Sequence, residues 1–282
     1  MTVELTFGQR TRVMGIINVT PDSFSGDGLA PDGASSEQVV AAAVEQAAGF
    51  VAAGAQLLDV GGESTRPRQF YGERRTLTAD EETAVVVPVV AALVKRFGDR
   101  ALVSIDTTRG GVARAALAAG ARMVNDVWAA TRDPDTARAA AECGAHLVLM
   151  HNKEVAEYEG DVVSEVIDWL ADAVTAAQAA GVAHDRLLVD PGIGFGKTGE
   201  HNLEILHRLG ELKAALGLPL LIGTSRKRFI GELLGGAEPD DRVEGTAATV
   251  ALAIAAGADV VRVHDVAHIA RTVRVADAII RR

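Results

Sequence analysis

The chain has 282 residues, 48% of them hydrophobic, and carries a formal net charge of -10 with a pI near 5.2. That content can bury a large core, and the acidic balance without a Lys/Arg run argues against nucleic acid as a partner. The single cysteine, Cys143, excludes an internal disulfide framework and reads as a small apolar helix residue in a reducing compartment; Met1-Thr2-Val3-Glu4-Leu5 has no targeting pattern and no apolar stretch reaches membrane-spanning length, so the expectation is a cytoplasmic protein without membrane attachment.

Residues 3 to 12 alternate loosely around Gly8 and predict a short hairpin that could plug one end of a barrel. Strand one runs from Val13 to Asn18 and gives way to the polar loop Val19-Thr20-Pro21-Asp22-Ser23-Phe24-Ser25. Ser35-Ser36-Glu37 offers a cap for an Ala/Val-rich helix that reaches Ala53 and stops at Gly54. Gln56 to Val60 is the second strand, followed by Gly61-Gly62-Glu63-Ser64-Thr65-Arg66-Pro67, and Thr78-Ala79-Asp80-Glu81 opens a helix to Phe97 through a capping box. Ala101 to Ile105 is the third strand, ending at Asp106, with its helix over Arg109 to Ala119.

Arg122 to Asn125 is the fourth strand, and Asp133-Pro134 starts the next helix with proline at its first position, ending at Gly144. His146 to Met150 is the fifth strand with His151 at its tip, and Val162 to Ala180 its helix. Arg186 to Val189 leads to Asp190-Pro191-Gly192, and His201 to Leu216 reads as one helix. Pro219 to Ile222 leads to Gly223-Thr224-Ser225-Arg226-Lys227, with the helical return over Thr246 to Ala256. Asp259 to Val263 is the eighth strand and Val266 to Ile280 the last helix.

Eight apolar strands alternating with eight helices predict an α/β fold, a (β/α)8 TIM barrel with a short N-terminal hairpin, as one domain over 1–282. A doubly wound open sheet is the competitor, but it gives no reason to stop at eight strands. Asn18, Thr65 with Arg66, Asp106, Asn125, His151, Asp190, Ser225 with Lys227, and Arg262 with His264 all fall at or just past strand C-terminal ends. In a closed barrel those ends share one rim, the face that carries active sites. Taken singly, Asp106 or Asn125 is as readily a helix cap.

Asp106, Asn125 and Asp190 together suit a heterocycle with adjacent N–H donors, because a carboxylate accepts two hydrogen bonds in parallel. Lys227 can donate to such a ring and Arg262 can stack its guanidinium on the ring face. A basic group, Arg66, Lys227, Arg262 and His264, favours an anion, although His264 also fits a structural hydrogen bond at a strand end. Asn18 offers a hard oxygen for Mg²⁺. The segment Asp190 to Lys197 lacks the spacing of a P-loop.

As a set, Met14 to Ser25, Asp59 to Pro67, Ser104 to Thr107, Val124-Asn125-Asp126, Asp190 to Lys197, Ser225-Arg226-Lys227 and Arg262 to Val266 resemble the dihydropteroate synthase family, in order and over nearly the whole chain. The resemblance implies condensation of 6-hydroxymethyl-7,8-dihydropterin pyrophosphate with 4-aminobenzoate, giving 7,8-dihydropteroate and diphosphate in folate synthesis, with Mg²⁺ as cofactor, small molecules as the partners and a homodimer as the assembly. It implies that Asp106, Asn125, Asp190 and Lys227 hold the pterin with Arg262 stacked on it, and that Asn18, Arg262 and His264 hold the diphosphate and the metal. Thr65, Arg66, Pro67, Phe195, Ser225, Arg226 and Lys227 would shape the aminobenzoate site, with Asp22 and Phe24 on a lid, and Met150 and Gly223 join the substrate contacts. Asp106, Lys227 and Arg262 are the residues it marks as catalytic.

Three segments depart from the family pattern. Loop two reads Arg66-Pro67-Arg68-Gln69-Phe70-Tyr71-Gly72, loop one reads Ser25-Gly26-Asp27-Gly28-Leu29, and Asn152-Lys153-Glu154 follows His151 where the family has a longer segment, so no role is carried to His151. Two other functions compete. A corrinoid-linked methyltetrahydrofolate methyltransferase would explain Asp106, Asn125 and Asp190 but not Ser225-Arg226-Lys227 with Thr65-Arg66-Pro67. A non-catalytic pterin-binding copy should have lost some of Asn18, Arg66, Lys227 or His264, and all four are present.

Overall fold

The structure, a computed structural model, describes residues 5–19, 34–63 and 76–282. The strands are β1 (Arg12–Asn18), β2 (Leu57–Gly61), β3 (Leu102–Asp106), β4 (Met123–Asp126), β5 (His146–Met150), β6 (Leu187–Asp190), β7 (Leu221–Ile222) and β8 (Val260–Val263). All pair in parallel in the order β6-β5-β4-β3-β2-β1-β8-β7. A single parallel bridge, Val189 to Leu220, joins β6 to β7 and brings the sheet round into a nearly closed (β/α)8 barrel.

Helices cover the outside: α1 (Ser36–Ala53), α2 (Ala79–Phe97), α3 (Gly110–Ala118), α4 (Asp135–Cys143), α5 (Val162–Ala179), α6 (Gly199–His207), α7 (Leu209–Leu216), α8 (Arg228–Leu233), α9 (Val243–Ala255) and α10 (Val266–Ile280). Their starts follow side-chain chemistry. Ser35 and Gln38 close a capping box on α1, Thr78 and Glu81 one on α2, and Thr198 and His201 one on α6. In α2, Asp80, Glu81 and Glu82 sit in the first turn and Lys95 and Arg96 in the last, each matching the sign of the helix dipole. None of the described helices is long and apolar enough to cross a membrane.

Four expectations change. Residues 5–11 form no strand, so the described part holds no hairpin; Leu5 and Phe7 instead pack on the apolar barrel floor, and Gly8 donates its N–H to Asp259. Pro134 occupies the cap position before α4, and Asp133 accepts from the Asp135 N–H. The span His201 to Leu216 is two helices, broken at Arg208, whose backbone (φ −102°, ψ 21°) leaves the helical region. The return after β7 contains α8 and starts its main helix at Val243.

Alternation inside the barrel separates two levels, since residues two apart on a strand face the same way. Met14, Leu57, Leu102, Met123, Val148, Leu188, Leu221 and Val260 form one buried apolar cluster. Two residues further along each strand stand Ile16, Asp59, Ser104, Asn125, Met150, Asp190, Gly223 and Arg262. Of the residues at that step, Asp59, Ser104, Asn125 and Asp190 are buried polar residues and Arg262 is partly buried.

Candidate active site

Asp59 is fully buried in the middle of β2, where an unpaired carboxylate would be costly. It is paired on two sides. Arg262 donates from Nε to Asp59 Oδ2 at 2.6 Å, and Asn125 donates from Nδ2 to the same oxygen at 3.0 Å. The other end of the Arg262 guanidinium donates from Nη2 to Asp106 Oδ2 at 2.7 Å. Residues of β2, β3, β4 and β8 are thereby tied across the barrel, and in-plane bonds to two carboxylates leave the flat face of the guanidinium for stacking.

The electrostatics follow from burial. Asp106 is pushed up to about 7, chiefly by loss of water; Arg262 pulls it back down, while Asp59 adds to the rise. Burial alone would lower Arg262, but Asp59 and Asp106 outweigh it and hold the guanidinium more firmly charged. Asp106 Oδ1 is buried without a hydrogen-bond partner among the described residues. A buried acceptor of that kind fits a ligand N–H donor.

Asn18 joins this group through strand register. Asn18 pairs with Gly61, Gly61 with Asp106, and Asp106 with Asn125, so the four share one row across β1 to β4. Gly61 has no side chain to part its neighbours: a Cβ there would stand 3.6 Å from Asn18 Oδ1 and 3.8 Å from Asp106 Oδ2. Among the described residues no three His, Cys, Asp or Glu side chains converge as a metal cage.

Asp190 ends β6, paired with Met150 of β5. The Gly192 N–H donates to its Oδ1 at 2.7 Å, and burial pushes the carboxyl up to about 6 against the pull of that N–H, Lys227, Lys197 and Arg262. Gly192 must be glycine, because its φ is 70° and a Cβ would lie 1.9 Å from the His151 carbonyl oxygen. Beyond it, the Lys227 ammonium sits 4.0 Å from the Phe195 ring centroid.

The loops after β7 and β8 are locked together. Ser225 Oγ accepts from the His264 backbone N–H at 3.1 Å and lies 3.0 Å from His264 Nδ1. Arg226, held at φ 58°, makes two bonds to Asp265, at 2.9 and 2.6 Å, and its carbonyl accepts from Arg242.

One cavity is lined by Asn18, Asp106, Asn125, Met150, Asp190, Phe195, Gly223, Ser225, Lys227, Arg262 and His264. Every anticipated site residue that is described therefore meets there. Thr65, Arg66, Pro67, Asp22 and Phe24 lie outside the described residues. Neither Asp106 nor Asn125 caps a helix; Asp126 performs the local structural work, accepting from Trp128 N, Ala130 N and Thr136 Oγ1. His264 makes the structural hydrogen bond, to Ser225, and also lines the cavity. Asp59 was missed as a site residue, and its signal is a lone acid inside Leu57-Leu58-Asp59-Val60. Lys197 and His151, joined at 2.8 Å, were also given no role.

Residues 14–264 match the model of a family described as pterin binding enzyme. A Bacillus subtilis dihydropteroate synthase is 42% identical over 278 residues, covering 99% of this chain and 92% of its own length. A Clostridium difficile dihydropteroate synthase structure, determined in the presence of pteroic acid, superposes with a TM-score of 0.90 at 41% identity, covering 99% of this chain and 100% of that one. A Xanthomonas albilineans dihydropteroate synthase structure with 4-aminobenzoic acid gives 0.85 at 44% identity, covering 96% of this chain and 93% of that one. With that likeness over essentially its full length, and with the acid, amide and basic groups of the family's motifs assembled in one cavity, the chain belongs to the pterin binding enzymes, among the dihydropteroate synthases.

Proposed function

We propose that the cavity condenses (7,8-dihydropterin-6-yl)methyl diphosphate with 4-aminobenzoate, giving 7,8-dihydropteroate and diphosphate. The observation that carries this reading is the pair of buried carboxylates, Asp106 and Asp190, sharing one cavity with Lys227, Arg262 and His264. The relatives solved with pteroic acid and with 4-aminobenzoic acid support the choice of substrates over a corrinoid-linked methyl transfer.

In this reading Asp190 accepts from the amino and ring N–H edge of the pterin, while Asp106, Asn125 and Lys227 complete its rim. Arg262 stacks on the ring, and Met150 and Gly223 border it. Arg262, His264 and Asn18 receive the diphosphate. Phe195, Lys227 and the Ser225-Arg226 backbone shape the aminobenzoate side, completed by Thr65, Arg66 and Pro67, with Asp22 and Phe24 on the covering loop.

Breaking the C–O bond to diphosphate leaves a methylene cation delocalised into the ring. Asp106 and Asp190 place negative charge near that cation, and Arg262 places positive charge and His264 a polar ring at the departing oxygens, so both ends of the bond are stabilised as it opens. The arylamine lone pair then forms the C–N bond and its proton leaves to solvent. No covalent enzyme nucleophile is required, and holding the amine in line supplies much of the remaining rate gain. Asn18, in the same strand row as Asp106, would offer a hard oxygen to Mg²⁺ arriving with the diphosphate. When bound, the ion neutralises leaving-group charge.

The decisive assay supplies the pterin diphosphate, 4-aminobenzoate and Mg²⁺ and follows diphosphate. Amine-dependent release is expected; pterin binding without release would instead indicate a non-catalytic copy. Asn18→Ala is expected to raise KM for the diphosphate substrate and leave the thermal midpoint in place, and unchanged kinetics would remove that assignment. The reading extends to a homodimer in the cytoplasm, supported by family membership; a monomer mass by sedimentation would remove the first half.

A further inference from the structure

Lys197 ends the segment Asp190 to Lys197, and nothing in the mechanism above uses it. It lines the cavity, yet only 8% of it is exposed. Its Nζ lies 2.8 Å from His151 Nδ1 and 3.0 Å from the Phe195 carbonyl oxygen. A buried ammonium needs both acceptors and a counter-charge.

The counter-charge is on the other side of Gly192. A Cβ on Gly192 would stand 3.3 Å from Lys197 Nζ, and the Gly192 N–H is itself bonded to Asp190 Oδ1 at 2.7 Å. Ammonium and carboxylate thus flank one glycine, which no larger residue can replace.

His151 makes the arrangement directional. It is fully buried, set against Trp169 with ring centroids 5.0 Å apart, and burial with the nearby Lys197 and Lys153 charges presses its pKa well below the usual range. A neutral imidazole accepts a hydrogen bond from Lys197 at Nδ1 and does not compete with it for charge.

We propose that Lys197 is a positioning residue for the pterin, the buried counter-ion that holds Asp190 as the carboxylate needed by two adjacent N–H donors of the ring. This rests on the reading of Asp190 as the acceptor of the pterin edge.

The titratable and charged groups facing the pair come from every neighbouring element: neutral His151 and Lys153 after β5, Lys227 after β7, and Arg262 on β8. Burial brings Lys197 down to about 7, with Asp190 holding it up and Lys227 and Lys153 pressing it down; Asp190 stands at about 6. The two ionisations belong to the pair. Below that range Asp190 takes a proton and loses acceptor capacity. Above it Lys197 loses its proton and the carboxylate loses its partner. Pterin binding is therefore strongest near neutrality.

The test measures affinity for 6-hydroxymethylpterin, which carries no diphosphate, from pH 5 to 9 in the native protein, Lys197→Met and Asp190→Asn. Comparing proteins with one probe cancels titration of the probe. Lys197→Met is expected to bind at least tenfold more weakly at pH 7, with its acid midpoint moved upward and its alkaline fall reduced. An unchanged profile in Lys197→Met overturns the proposal. Undiminished binding by Asp190→Asn would instead overturn the reading of Asp190, so the two failures are distinct. If Lys197→Met does not fold, spectra of the native protein labelled with [6-13C]lysine decide, with the Lys197 signal identified by its loss in Lys197→Arg. A midpoint well below that of ordinary lysines, moving further down in Asp190→Asn, supports the pair, and an ordinary midpoint indifferent to Asp190 overturns it.

Discussion

Leu57 and Asp59 stand on the same strand, face the same interior and are both fully buried, yet one belongs to an apolar floor and the other to a network of charges. A like contrast holds between Leu188 and the buried Asp190, and between Val260 and the partly buried Arg262. Below the step, each large apolar side chain contributes about 1.5–3 kcal/mol through burial. Above it, burial is a cost, offset where Arg262 and Asn125 satisfy Asp59 and where Arg262 satisfies Asp106. Among the described residues, the buried oxygens of Asp59, Ser104 and Asp106 that lack a hydrogen-bond partner lie above the step. Apolar burial is concentrated in one level and the open bonding capacity of the site in the other, within one pleat of each strand.

Substitutions on either side of the step separate the two. The largest expected effect is Arg262→Ala, which strands Asp59 and Asp106 in the interior and is expected to cost about 3–5 kcal/mol in denaturant unfolding and to abolish turnover. A stable variant would show that the network above the step does not depend on its cation. Next is Leu57→Ala, expected to cost about 2–5 kcal/mol while kcat/KM of the remaining folded protein stays within twofold or so of the parent. Comparable losses of activity and stability would erase the contrast.

Asp106 gives a pH signature. Its carboxyl rises from 3.8 to about 7 on folding, so the folded protein retains a proton that the unfolded chain has released. Stability from this group is full below the unfolded value and falls as pH rises through about 7. Asp190, raised to about 6, adds to the same slope. Asp106→Asn is expected to flatten the decline in thermal midpoint between about pH 4 and 7, and an identical decline in both proteins would contradict it. The smallest effect is expected for Ser104→Ala: its buried hydroxyl has no partner among the described residues, so removal is expected to be neutral or to add about 1 kcal/mol, with turnover intact. A clear loss of activity would place Ser104 in the site.

Strand positions and the rim were legible in the sequence because both come from short-range patterns. Apolar runs end at polar residues, and closure at eight strands carries those ends to one face. Asp126 and Asn125 show the limit: adjacent and alike in chemistry, one caps its own loop and the other reaches Asp59 across the barrel. Only strand register and side-chain direction separate them. Asp59 was passed over because its partner Arg262 is 203 residues away. The break at Arg208 was hidden because apolar periodicity runs through it, while Arg208 bonds outward to Asp161 and Glu211. Over the described residues 5–11 the hairpin expectation failed because alternation around Gly8 reports apolar side chains, Leu5 and Phe7, meeting the floor.

The seam between β6 and β7 has a mechanical consequence. Whereas β1 and β2 pair over five residues, β7 has only two, and one bridge joins it to β6. Its lower end is pinned, since Asp259 accepts from the Leu220 N–H and from Lys213. Its upper end carries Asp190 on one flank and the Gly223 to Lys227 turn on the other. The barrel is thus a spring with one soft coil, fixed at the base, while at the mouth the turn above β7 is tied to the loop after β8 through Ser225 and Arg226. Amides of Leu221 and Ile222 are expected to exchange with solvent ahead of those in β1 and β2, and the opening they report would widen the space between the wall assigned to the pterin and the wall assigned to the amine.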